Sequence, residues 1–469
     1  MKLQITDVQV QDALLTISRL VSMEGGRGLL VGGSVRDTLL GMTPKDYDVE
    51  VYGIHPSRLV EILSIHFSVS LVGEAFGVIK LHGLPIDVSI PRRESKVGRG
   101  YRGFAVQSDP KMTPEEAASR RDFTINAIAL DPMTQELVDP FGGVKDLENR
   151  ILRHISGRFA EDPLRVLRGL QLIARFALTP VAETVLLAKG LYHEYDSIAI
   201  ERIWTEWFKW AAKSTKPSFG LQWLQETRWI QAYPELAALQ DCPQNPTWHP
   251  EGDVWTHTLH VVDEAARIGE RDDLSLEDRA TLVLAALCHD LGKPMTTEVT
   301  ETGIHSRGHA QTKEIYERFL QRIGAGQKYV ERIIGLCLNH LTHLDFVGSP
   351  RHVRRLALSL SRAGETIDML CRLVEADSSG RPPLAKQLPD KMRQILVLSQ
   401  QLAVDKAGPQ PVLLGRHLID MGMPPGPQMG AILKSAFEAQ LDGQFETLNA
   451  AIGWVNSNEQ FLRAMKRKP

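Results

Sequence analysis

Apolar positions in the first 150 residues fall into short runs, several of which alternate with polar positions. Alternation with a period of two, bounded by Gly or Pro, predicts β-strands because successive side chains of a strand point to opposite faces. Helix-like stretches separate these runs, so a small α/β or α+β domain is expected. The predicted strands are residues 28–31, 47–52, 77–81 and 86–90.

From about Phe159 the apolar positions recur every three or four residues instead, as at Leu164, Leu167, Leu170 and Ile173. This spacing places the four side chains on one face of a helix. It predicts that almost all of the later structure is α-helical.

The length of the chain requires several domains. A chain of 469 residues is too long for one hydrophobic core, since cores stop growing near ~250–300 residues. Polar segments that contain two prolines each, at 241–246 and 378–383, are the predicted boundaries in the later part. The predicted domains are 1–155, 156–240, 241–383 and 384–469.

Composition excludes several classes of protein. Apolar residues make up 43% and charged residues 24%, close to the globular average, so neither general disorder nor fibrous structure is expected. The four cysteines have no C-x-x-C spacing, so a disulfide framework and a zinc knuckle are not predicted. The N-terminus lacks a signal-peptide pattern and no apolar run approaches the ~20 residues of a membrane span, so a cytoplasmic protein without membrane contact is expected.

Charge bears on the substrate. A formal net charge of −3 gives no indication of a nucleic-acid partner. Arg and Lys are nevertheless concentrated between Arg92 and Arg175. A basic surface beside an acidic catalytic centre would suit a polyanionic substrate.

The first candidate for chemistry is a glycine turn between a predicted strand and a predicted helix, with the sequence LVGGSVRD at 30–37. Gly32 and Gly33 let backbone N–H groups approach a triphosphate, and the start of a helix favours negative charge. An ordinary strand-to-helix turn has the same pattern, so the turn alone is weak evidence.

Three carboxylates strengthen this interpretation and are the predicted catalytic residues. Asp46 and Asp48 stand two positions apart at the start of a predicted strand, so both lie on one face. Asp87 lies within an apolar strand, where an isolated charge is costly unless it is paired or bound to metal. Such a set can hold two Mg²⁺ ions about 3.5–4 Å apart, which activate a 3′-hydroxyl and neutralise the leaving pyrophosphate. The alternative is that Asp46 and Asp48 are turn and cap residues.

Together with three further motifs, these residues resemble the class II tRNA nucleotidyltransferase and bacterial poly(A) polymerase family of the polymerase-beta superfamily. The motifs are RRDFTINA at 120–127, DPFGG followed by DL at 139–147, and EDPLR at 161–165. In that family the first handles the ribose and phosphates of the nucleotide, the second links two domains, and the third reads the base with side chains. The resemblance implies nucleotide binding by Gly32, Gly33, Arg36, Arg121, Asp122, Asn126, Glu161, Asp162, Arg165 and Arg168.

The EDPLR motif also has a physical interpretation that is independent of the family. Asp162 can accept a hydrogen bond from an exocyclic amine, and Arg165 can donate to a ring nitrogen or carbonyl, so the pair can match a Watson–Crick edge. Both are expected on the same face of a helix because they stand at i and i+3. A surface ion pair at the head of an exposed helix is the alternative. Arg168 and Arg175 face either RNA phosphate or solvent.

A second candidate site begins where an apolar helix at 281–288 ends in His289 and Asp290. With His257 upstream and Asp377 downstream, this ordered set is similar to the metal ligands of the HD phosphohydrolase superfamily. The resemblance implies hydrolysis of phosphoesters such as 2′,3′-cyclic phosphates or 2′-phosphates. Imidazole and carboxylate ligands suit Ni²⁺, Co²⁺ or Mn²⁺, and a bound metal generates hydroxide from water.

Other polar residues near this motif are weaker candidates. Four histidines could assist the site, but a lone histidine is more often a surface or satisfied core residue. Lys293 either contacts phosphate or ends the apolar helix favourably. The four histidines are His305, His309, His340 and His343.

The expected fold class is α+β, with a polymerase-beta-type head of mixed sheet and helices over 1–155. A helical neck that binds nucleotide and RNA, an HD domain and a tRNA-binding helical tail follow, and the resemblance reaches the tail at 411–430. It implies a template-independent enzyme that adds CCA to tRNA 3′ ends from CTP and ATP, with Mg²⁺ in the head and Ni²⁺, Co²⁺ or Mn²⁺ in the HD domain.

Two alternatives stay open. Segment 92–119 departs somewhat from the commonest family pattern, so an A-adding enzyme or a poly(A) polymerase is the first. The second is an HD phosphohydrolase whose degenerate head only binds RNA. The intact carboxylate set disfavours this second alternative and, for the same reason, a purely structural RNA-binding protein.

Overall fold

The computed structural model describes residues 7–72, 77–96 and 104–458. The chain divides into two compact units, the first of Met1–Trp210 with Ser214–Ala232 and the second of Ala211–Lys213 with Tyr233–Pro469. The four predicted domains are finer than this division and stay a prediction. Within the described ranges, no helix is both long and apolar enough to span a bilayer.

The first unit contains most of the described strands, and helices become dominant towards its end. Its strands are β1 (Arg27–Val31), β2 (Tyr47–Tyr52), β3 (Val69–Val72), β4 (Val78–Leu81), β5 (Ile86–Ser89), β6 (Arg92–Lys96), β7 (Phe104–Ser108), β8 (Ala129–Leu130), β9 (Leu137–Val138), β10 (Ile151–Leu152) and β11 (Thr179–Pro180). The helices up to residue 226 are α1 (Val8–Met23), α2 (Gly33–Leu39), α3 (Pro56–His66), α4 (Pro114–Ala118), α5 (Gly143–Glu148), α6 (Leu164–Phe176), α7 (Ala182–Gly190), α8 (Ile200–Lys213) and α9 (Pro217–Glu226).

A mixed sheet of seven strands, in the order β3-β4-β5-β2-β1-β8-β9, forms the centre of this unit. β2 and β5 are parallel neighbours, and the other neighbouring strands are antiparallel. In β2 the alternation buries Tyr47, Val49 and Val51 and turns Asp48 and Glu50 to the opposite face. The central strands therefore carry carboxylates on one face of the sheet.

The predicted strands are confirmed as β1, β2, β4 and β5, with small differences at their ends. The hairpin of β6 and β7 was not predicted, because the sequence of β6, Arg92–Lys96, has no apolar alternation and is defined by its pairing with β7. The helix α1 precedes the sheet; its side chains Leu14, Ile17 and Val21 are buried at helical spacing.

The predicted change to helical periodicity is confirmed by α6, in which Leu164, Leu167, Leu170 and Ile173 are all buried. α6 packs directly on α9. The approach is close because Gly220 of α9 faces α6: a Cβ added there would lie 2.5 Å from the carbonyl oxygen of Leu170. A glycine is thus required at this crossing.

Gly220→Ala is expected to destabilise the first unit by about 1–3 kcal/mol, because the new methyl group must push the backbone of α6 away. The measurement is the thermal unfolding midpoint of the full chain. Gly190→Ala is the matched control, since a Cβ at Gly190 meets no atom within 4 Å. An equal midpoint for Gly220→Ala and wild type would contradict the packing described for these two helices.

Over the residues described up to 458, the second unit is helical except for one hairpin, β12 (Thr297–Thr300) and β13 (Gly303–Ser306), which the helical prediction did not include. The helices α11, α12, α15 and α17 pack together and form its main core. Its helices are α10 (Pro234–Ala237), α11 (Val254–Arg271), α12 (Leu276–Cys288), α13 (Lys293–Thr296), α14 (Lys313–Arg322), α15 (Gln327–Asn339), α16 (Pro350–Arg362), α17 (Ile367–Ser379), α18 (Asp390–Gln401), α19 (Gly415–Asp420), α20 (Pro427–Leu441) and α21 (Leu448–Ser457).

The last helices have a hydrophobic cluster of their own. Leu418 of α19, Ile432 of α20 and Val455 of α21 are buried within it. α18 packs against α16 and α17 instead. The predicted helical character of the tail is thereby confirmed over the described residues.

Candidate active sites

The register of two parallel strands brings the head carboxylates together. Asp48 of β2 and Asp87 of β5 are direct partners, so their side chains leave the same face of the sheet. Asp46 immediately precedes β2, and its charge acts on Asp48. Lys80 on β4 places Nζ 3.6 Å from a carboxylate oxygen of Asp87. The three predicted catalytic residues therefore lie in one group.

The electrostatics of this group favour a cation. The side chain of Asp48 reaches solvent, but its partial desolvation raises the pKa of the carboxyl group. Arg121 lowers this pKa, whereas the neighbouring carboxylates raise it further; these are Asp87, Asp46 and Glu50. A divalent cation would remove this repulsion. Carboxylate oxygens are also the ligands that Mg²⁺ prefers, so the residues present fit such an ion.

The predicted glycine turn lies directly beside the carboxylates. Gly32, between the end of β1 at Val31 and the start of α2 at Gly33, has a φ of 76°. A Cβ on Gly32 would lie 3.5 Å from Nη1 of Arg121 and 3.8 Å from Oδ2 of Asp48. Arg121 also donates to Glu50 Oε2 at 3.3 Å. Glycine is favoured here by the positive φ, since a Cβ would meet both charged groups only at ordinary contact distances.

Behind the turn lies a buried polar network of residues predicted to bind nucleotide. Asp122 and Asn126 are each 5% exposed. Asp122 accepts hydrogen bonds from Asn126 Nδ2 at 2.9 Å and from Arg168 Nε at 2.5 Å, and Arg36 donates to Asn126 Oδ1. Burial opposes ionisation, yet Arg168 and Asn126 hold the pKa of Asp122 below its ordinary value. These residues therefore hold one another in place, and their part in nucleotide binding stays a prediction.

The expected position of Asp162 and Arg165 on one helical face is wrong. Asp162 has extended backbone, with φ −131° and ψ 102°, and α6 begins only at Leu164. The cause is local: the ring of Pro163 keeps the preceding residue out of the helical region. Glu161 ends the short 3-10 helix Gly157–Glu161 just before this point.

Each side chain of this pair has a different partner. The Asp162 carboxylate accepts from Arg202 of α8, at 2.8 Å from Nη2 and 3.3 Å from Nη1. Arg165 donates to the carbonyl oxygens of Arg158 and Arg120 at 2.7 and 2.6 Å. A guanidinium has five N–H donors, so further donors of Arg165 can still reach a base. No local sequence signal pointed to Arg202.

Many of the basic residues between Arg92 and Arg175 are engaged within the protein, so the expected basic surface is smaller than their number indicates. Arg168 and Arg175 are both bound to carboxylates, and Arg175 also lies over the ring of Phe176 at 4.6 Å. Arg99 and Arg102 lie outside the described residues. The ion pairs are Arg93–Asp109, Arg121–Glu50, Arg153–Asp146, Arg168–Asp122 and Arg175–Asp37.

In the second unit, three helices bring the four predicted HD ligands together. His257 lies on α11, His289 and Asp290 follow α12 directly, and Asp377 lies on α17. His257 Nε2 is 3.2 Å from Asp377 Oδ1, 3.4 Å from His289 Nε2 and 3.7 Å from Asp290 Oδ2. The four side chains form one buried cluster.

Two histidines that the sequence treated as weaker candidates belong to the same cluster. His309 and His340 form a group with Asp290 in which the ligand atoms lie within 4.8 Å of one another. His289, His309 and His340 each place Nδ1 2.6–2.7 Å from the carbonyl oxygen three residues earlier. A carbonyl can only accept, so Nδ1 carries the proton and Nε2 has a free lone pair in the neutral ring.

Three members of the cluster, Asp290, Asp377 and His340, have the charges that metal ligands require. Burial opposes protonation of His257 and His309, but the carboxylates of Asp377 and Asp290 raise their pKa values. Burial opposes ionisation of Asp290, but His289 and Lys293 hold its pKa well below the ordinary range. Burial likewise opposes ionisation of Asp377, and His257 holds its pKa well below that range. Burial lowers the pKa of His340 to about 3, so this ring is neutral. Ionised carboxylates and neutral imidazoles are the forms that bind metals.

Two buried atoms support a cation in this cluster. Asp290 Oδ2 and His309 Nε2 lack a hydrogen bond of good geometry, although charged partners lie near them. A buried polar atom without a hydrogen bond is costly, and a divalent ion would satisfy both. The mixed imidazole and carboxylate donors fit a transition metal.

A cavity of 440 Å³ opens onto this cluster. Lys293, Arg307 and Arg381 line it together with Trp248, an exposed aromatic side chain. Three cations beside the His/Asp cluster suit a phosphoester substrate. Lys293 does not end the apolar helix, because α12 ends at Cys288 and Lys293 is the first residue of α13. Its Nζ lies 2.7 Å from Asp290 Oδ2.

Two further residues support the cluster from outside. Glu251 places Oε1 2.8 Å from His257 Nδ1 and 2.9 Å from His249 Nδ1. Burial opposes its ionisation, but hydrogen bonds with these two rings lower the pKa of Glu251 to about 2. A carboxylate behind a ligating histidine orients the ring and increases its basicity. The sequence analysis missed both residues; their only signal was the short spacing of His249 and Glu251.

The sheet with its carboxylates and the His/Asp cluster define a nucleotidyltransferase head followed by an HD domain. Family models agree: the poly A polymerase head domain matches residues 29–153, and the HD domain matches residues 254–373. The chain is 39% identical over 369 residues to the multifunctional CCA protein of Xylella fastidiosa strain 9a5c, covering 76% of this chain and 84% of that protein. The chain belongs to the multifunctional CCA protein family, and the predicted family and enzyme class are confirmed.

Other comparisons agree. The multifunctional CCA protein of Stenotrophomonas maltophilia strain R551-3 is 43% identical over 365 residues, covering 75% of this chain and 86% of that protein. The fold is similar to the CCA-adding enzyme of Bacillus stearothermophilus in complex with CTP, with a TM-score of 0.65 at 21% identity, covering 97% of this chain and 100% of that one. It is also similar to the Thermotoga maritima CCA-adding enzyme complexed with tRNA(CCA), with a TM-score of 0.55 at 18% identity, covering 99% and 97%. The predicted α+β fold is confirmed.

Proposed function

We propose that the head adds C, C and A to the 3′ end of tRNA from CTP and ATP without a nucleic-acid template. The observation that carries this proposal is the register of β2 and β5, which sets Asp48 beside Asp87 next to the Gly32 turn. The names of the relatives agree with it. Its tRNA and nucleotide substrates fit the cytoplasmic location predicted from the sequence.

Each head residue has a proposed part. Asp46 and Asp48, with Asp87, would hold Mg²⁺, which activates the 3′-hydroxyl and neutralises pyrophosphate when bound. The Gly32 turn leaves room for the triphosphate, and Arg121 stands beside it to bind phosphate oxygens. The network of Asp122 and its partners holds this arrangement still.

Base selection is assigned to Asp162 and Arg165. Cytosine and adenine each present an exocyclic amine donor beside a ring-nitrogen acceptor, so one carboxylate and one guanidinium suit both. Uracil and guanine present a carbonyl opposite the carboxylate, where neither group has a proton. An unmatched buried polar group costs about 1–3 kcal/mol, so both bases are rejected.

The HD domain is proposed to hydrolyse phosphoesters, with 2′,3′-cyclic phosphates and 2′-phosphates as its substrates. His257, His289, Asp290 and Asp377 would hold Ni²⁺, Co²⁺ or Mn²⁺, which supplies a hydroxide nucleophile when bound. Lys293, Arg307 and Arg381 line the cavity and bind the phosphate. Glu251 holds the ring of His257.

The product is tested on three RNAs: tRNA ending before the first C, tRNA ending after CC, and an unstructured RNA. Each receives CTP, ATP or both, and product length is read on a gel. CCA synthesis requires incorporation of CTP into the shortest tRNA. Addition of A to tRNA ending in CC, without any incorporation of CTP into the shortest tRNA, would favour the A-adding alternative. Long A tracts on unstructured RNA would favour a poly(A) polymerase.

Arg202→Ala is expected to reduce discrimination of CTP against UTP by roughly 10- to 100-fold, because a charged hydrogen-bonded partner is worth about 1.5–3 kcal/mol. Arg202 is a positioning residue: it fixes the Asp162 carboxylate through two hydrogen bonds. The measurement is the ratio of kcat/KM for the two nucleotides.

Arg202→Lys is the matched variant, since it keeps the charge and loses the planar pair of donors. It should recover little of the discrimination between CTP and UTP. An unchanged CTP to UTP ratio in both variants would mean that Asp162 is held correctly without Arg202.

A further inference from the structure

The cavity that opens onto the His/Asp cluster of the HD domain is larger than a phosphate group requires. Its volume of 440 Å³ lies within the range of ~300–1,000 Å³ that is typical of sites enclosing a drug-sized molecule. A phosphoester of a small alcohol would leave most of this space to solvent. The other residues that line the cavity therefore indicate what the substrate carries beyond its phosphate.

The charged side chains of the lining indicate where the phosphate binds. Lys293 Nζ lies 2.7 Å from Asp290 Oδ2, beside the cluster. Arg381 follows just after α17, the helix that carries Asp377, and its charge acts on that carboxylate. Nε of Arg381 is a buried donor without a hydrogen bond, and an anion in the cavity would satisfy it. The phosphate is therefore expected at the part of the cavity next to the cluster.

Two exposed apolar side chains from separate segments of the chain line the same cavity. Trp248 is 66% exposed and Leu344 is 55% exposed. An indole offers a flat aromatic surface on which a nucleobase can stack. A phosphoester that carries a nucleoside would cover apolar surface here, whereas a phosphoester of a small alcohol would leave it in water.

The position of Trp248 is fixed relative to the cluster. The carbonyl oxygen of Asn245 accepts hydrogen bonds from the backbone N–H groups of Trp248 and His249, at 3.1 and 2.9 Å, and closes a turn. His249 Nδ1 lies 2.9 Å from Glu251 Oε1, which in turn lies 2.8 Å from His257 Nδ1. A short chain of contacts thus connects the indole to a predicted metal ligand.

We propose that Trp248 and Leu344 form a base-binding subsite, so that the HD domain selects phosphoesters of nucleosides over those of small alcohols. The base stacks on the indole of Trp248 while the phosphate binds Lys293 and Arg381. Because stacking needs only the flat face of a base, the subsite accepts all four bases. The inference rests on the proposed hydrolysis of phosphoesters by this domain and names the group that its specificity recognises.

The test compares kcat/KM for adenosine 2′,3′-cyclic phosphate with kcat/KM for glycerol 1,2-cyclic phosphate, which has no base. The full chain supplied with Ni²⁺, Co²⁺ or Mn²⁺ is used. Trp248→Ala should lower the first value roughly 5- to 100-fold, mainly through KM, because one stacking contact is lost, and should leave the second value unchanged. Trp248→Phe keeps an aromatic face and should retain most of the preference. Val347→Ala is the matched control, since Val347 is an exposed apolar residue outside the cavity lining.

Binding gives a second readout that does not depend on hydrolysis. Trp248→Ala should weaken the Kd of adenosine 2′-monophosphate, measured by calorimetry, by a similar factor, while nucleotide addition by the head stays unchanged. An RNA oligonucleotide ending in a 2′,3′-cyclic phosphate is a third substrate. Whichever of the two nucleotide substrates has the higher kcat/KM shows whether the subsite serves an RNA end or a free nucleotide.

The outcomes separate the subsite from the hydrolysis on which it rests. Equal losses on both cyclic phosphates, or no loss on either, would overturn the subsite and leave the proposed hydrolysis intact. If the wild-type protein hydrolyses neither, the proposed hydrolysis is rejected, and the calorimetric Kd still decides whether Trp248 binds the base.

Discussion

Asp48→Asn is expected to reduce nucleotide addition by at least ~10²-fold, because it removes one metal-binding charge from the head. Asn keeps the size of the side chain, so β2 and its pairing with β5 should stay intact. The measurement is single-turnover addition of CMP to tRNA lacking its 3′ end. A rate above about a tenth of wild type would contradict the assignment of this carboxylate as a metal ligand.

Stability separates this effect from misfolding. The pKa of Asp48 is raised by partial desolvation and by neighbouring carboxylates, so its ionised form destabilises the metal-free fold at neutral pH. Asp48→Asn should therefore leave the thermal midpoint unchanged or slightly higher. Glu61→Gln is the control, because Glu61 is an exposed carboxylate on α3 and should keep full activity.

Asp290→Asn is expected to abolish metal-dependent phosphoester hydrolysis, with a loss of at least ~10²-fold. Its two carboxylate oxygens lie 3.1 Å from His289 Nε2 and 3.1 Å from His309 Nε2, so Asp290 is central to the cluster. The measurement is hydrolysis of a 2′,3′-cyclic nucleotide by metal-free protein to which Ni²⁺, Co²⁺ or Mn²⁺ is restored.

Nucleotide addition should survive in the same sample, since the ligands of the HD cluster and the carboxylates of the head belong to different compact units. His260→Gln, at an exposed position on the same helix as His257, is the matched control and should keep both activities. Full hydrolysis by Asp290→Asn after metal exchange would show that the cluster is not the hydrolytic centre. Loss of nucleotide addition together with hydrolysis would show instead that the two activities depend on each other.

The sequence by itself determined the local parts of both sites. Alternation in β2 sets Asp48 and Glu50 opposite the buried Val49, whatever the strand pairs with. The apolar run of α12 indicates where a buried helix ends, and it therefore places His289 and Asp290 directly after that end. Such features depend on periodicities of two or about four residues, which a sequence displays directly. The prediction that Asp162 lies on a helix was wrong because it did not consider that Pro163 keeps the preceding residue out of the helical conformation.

Only the tertiary structure decided how distant segments combine. The pairing of Asp48 with Asp87 depends on strand register, and the bond from Arg202 to Asp162 depends on how α8 lies beside the start of α6. His309 and His340 have no distinguishing local pattern and became candidate ligands only through packing around Asp290. Interactions between residues far apart in the chain follow from packing that buries apolar surface as a whole, and no local period encodes them.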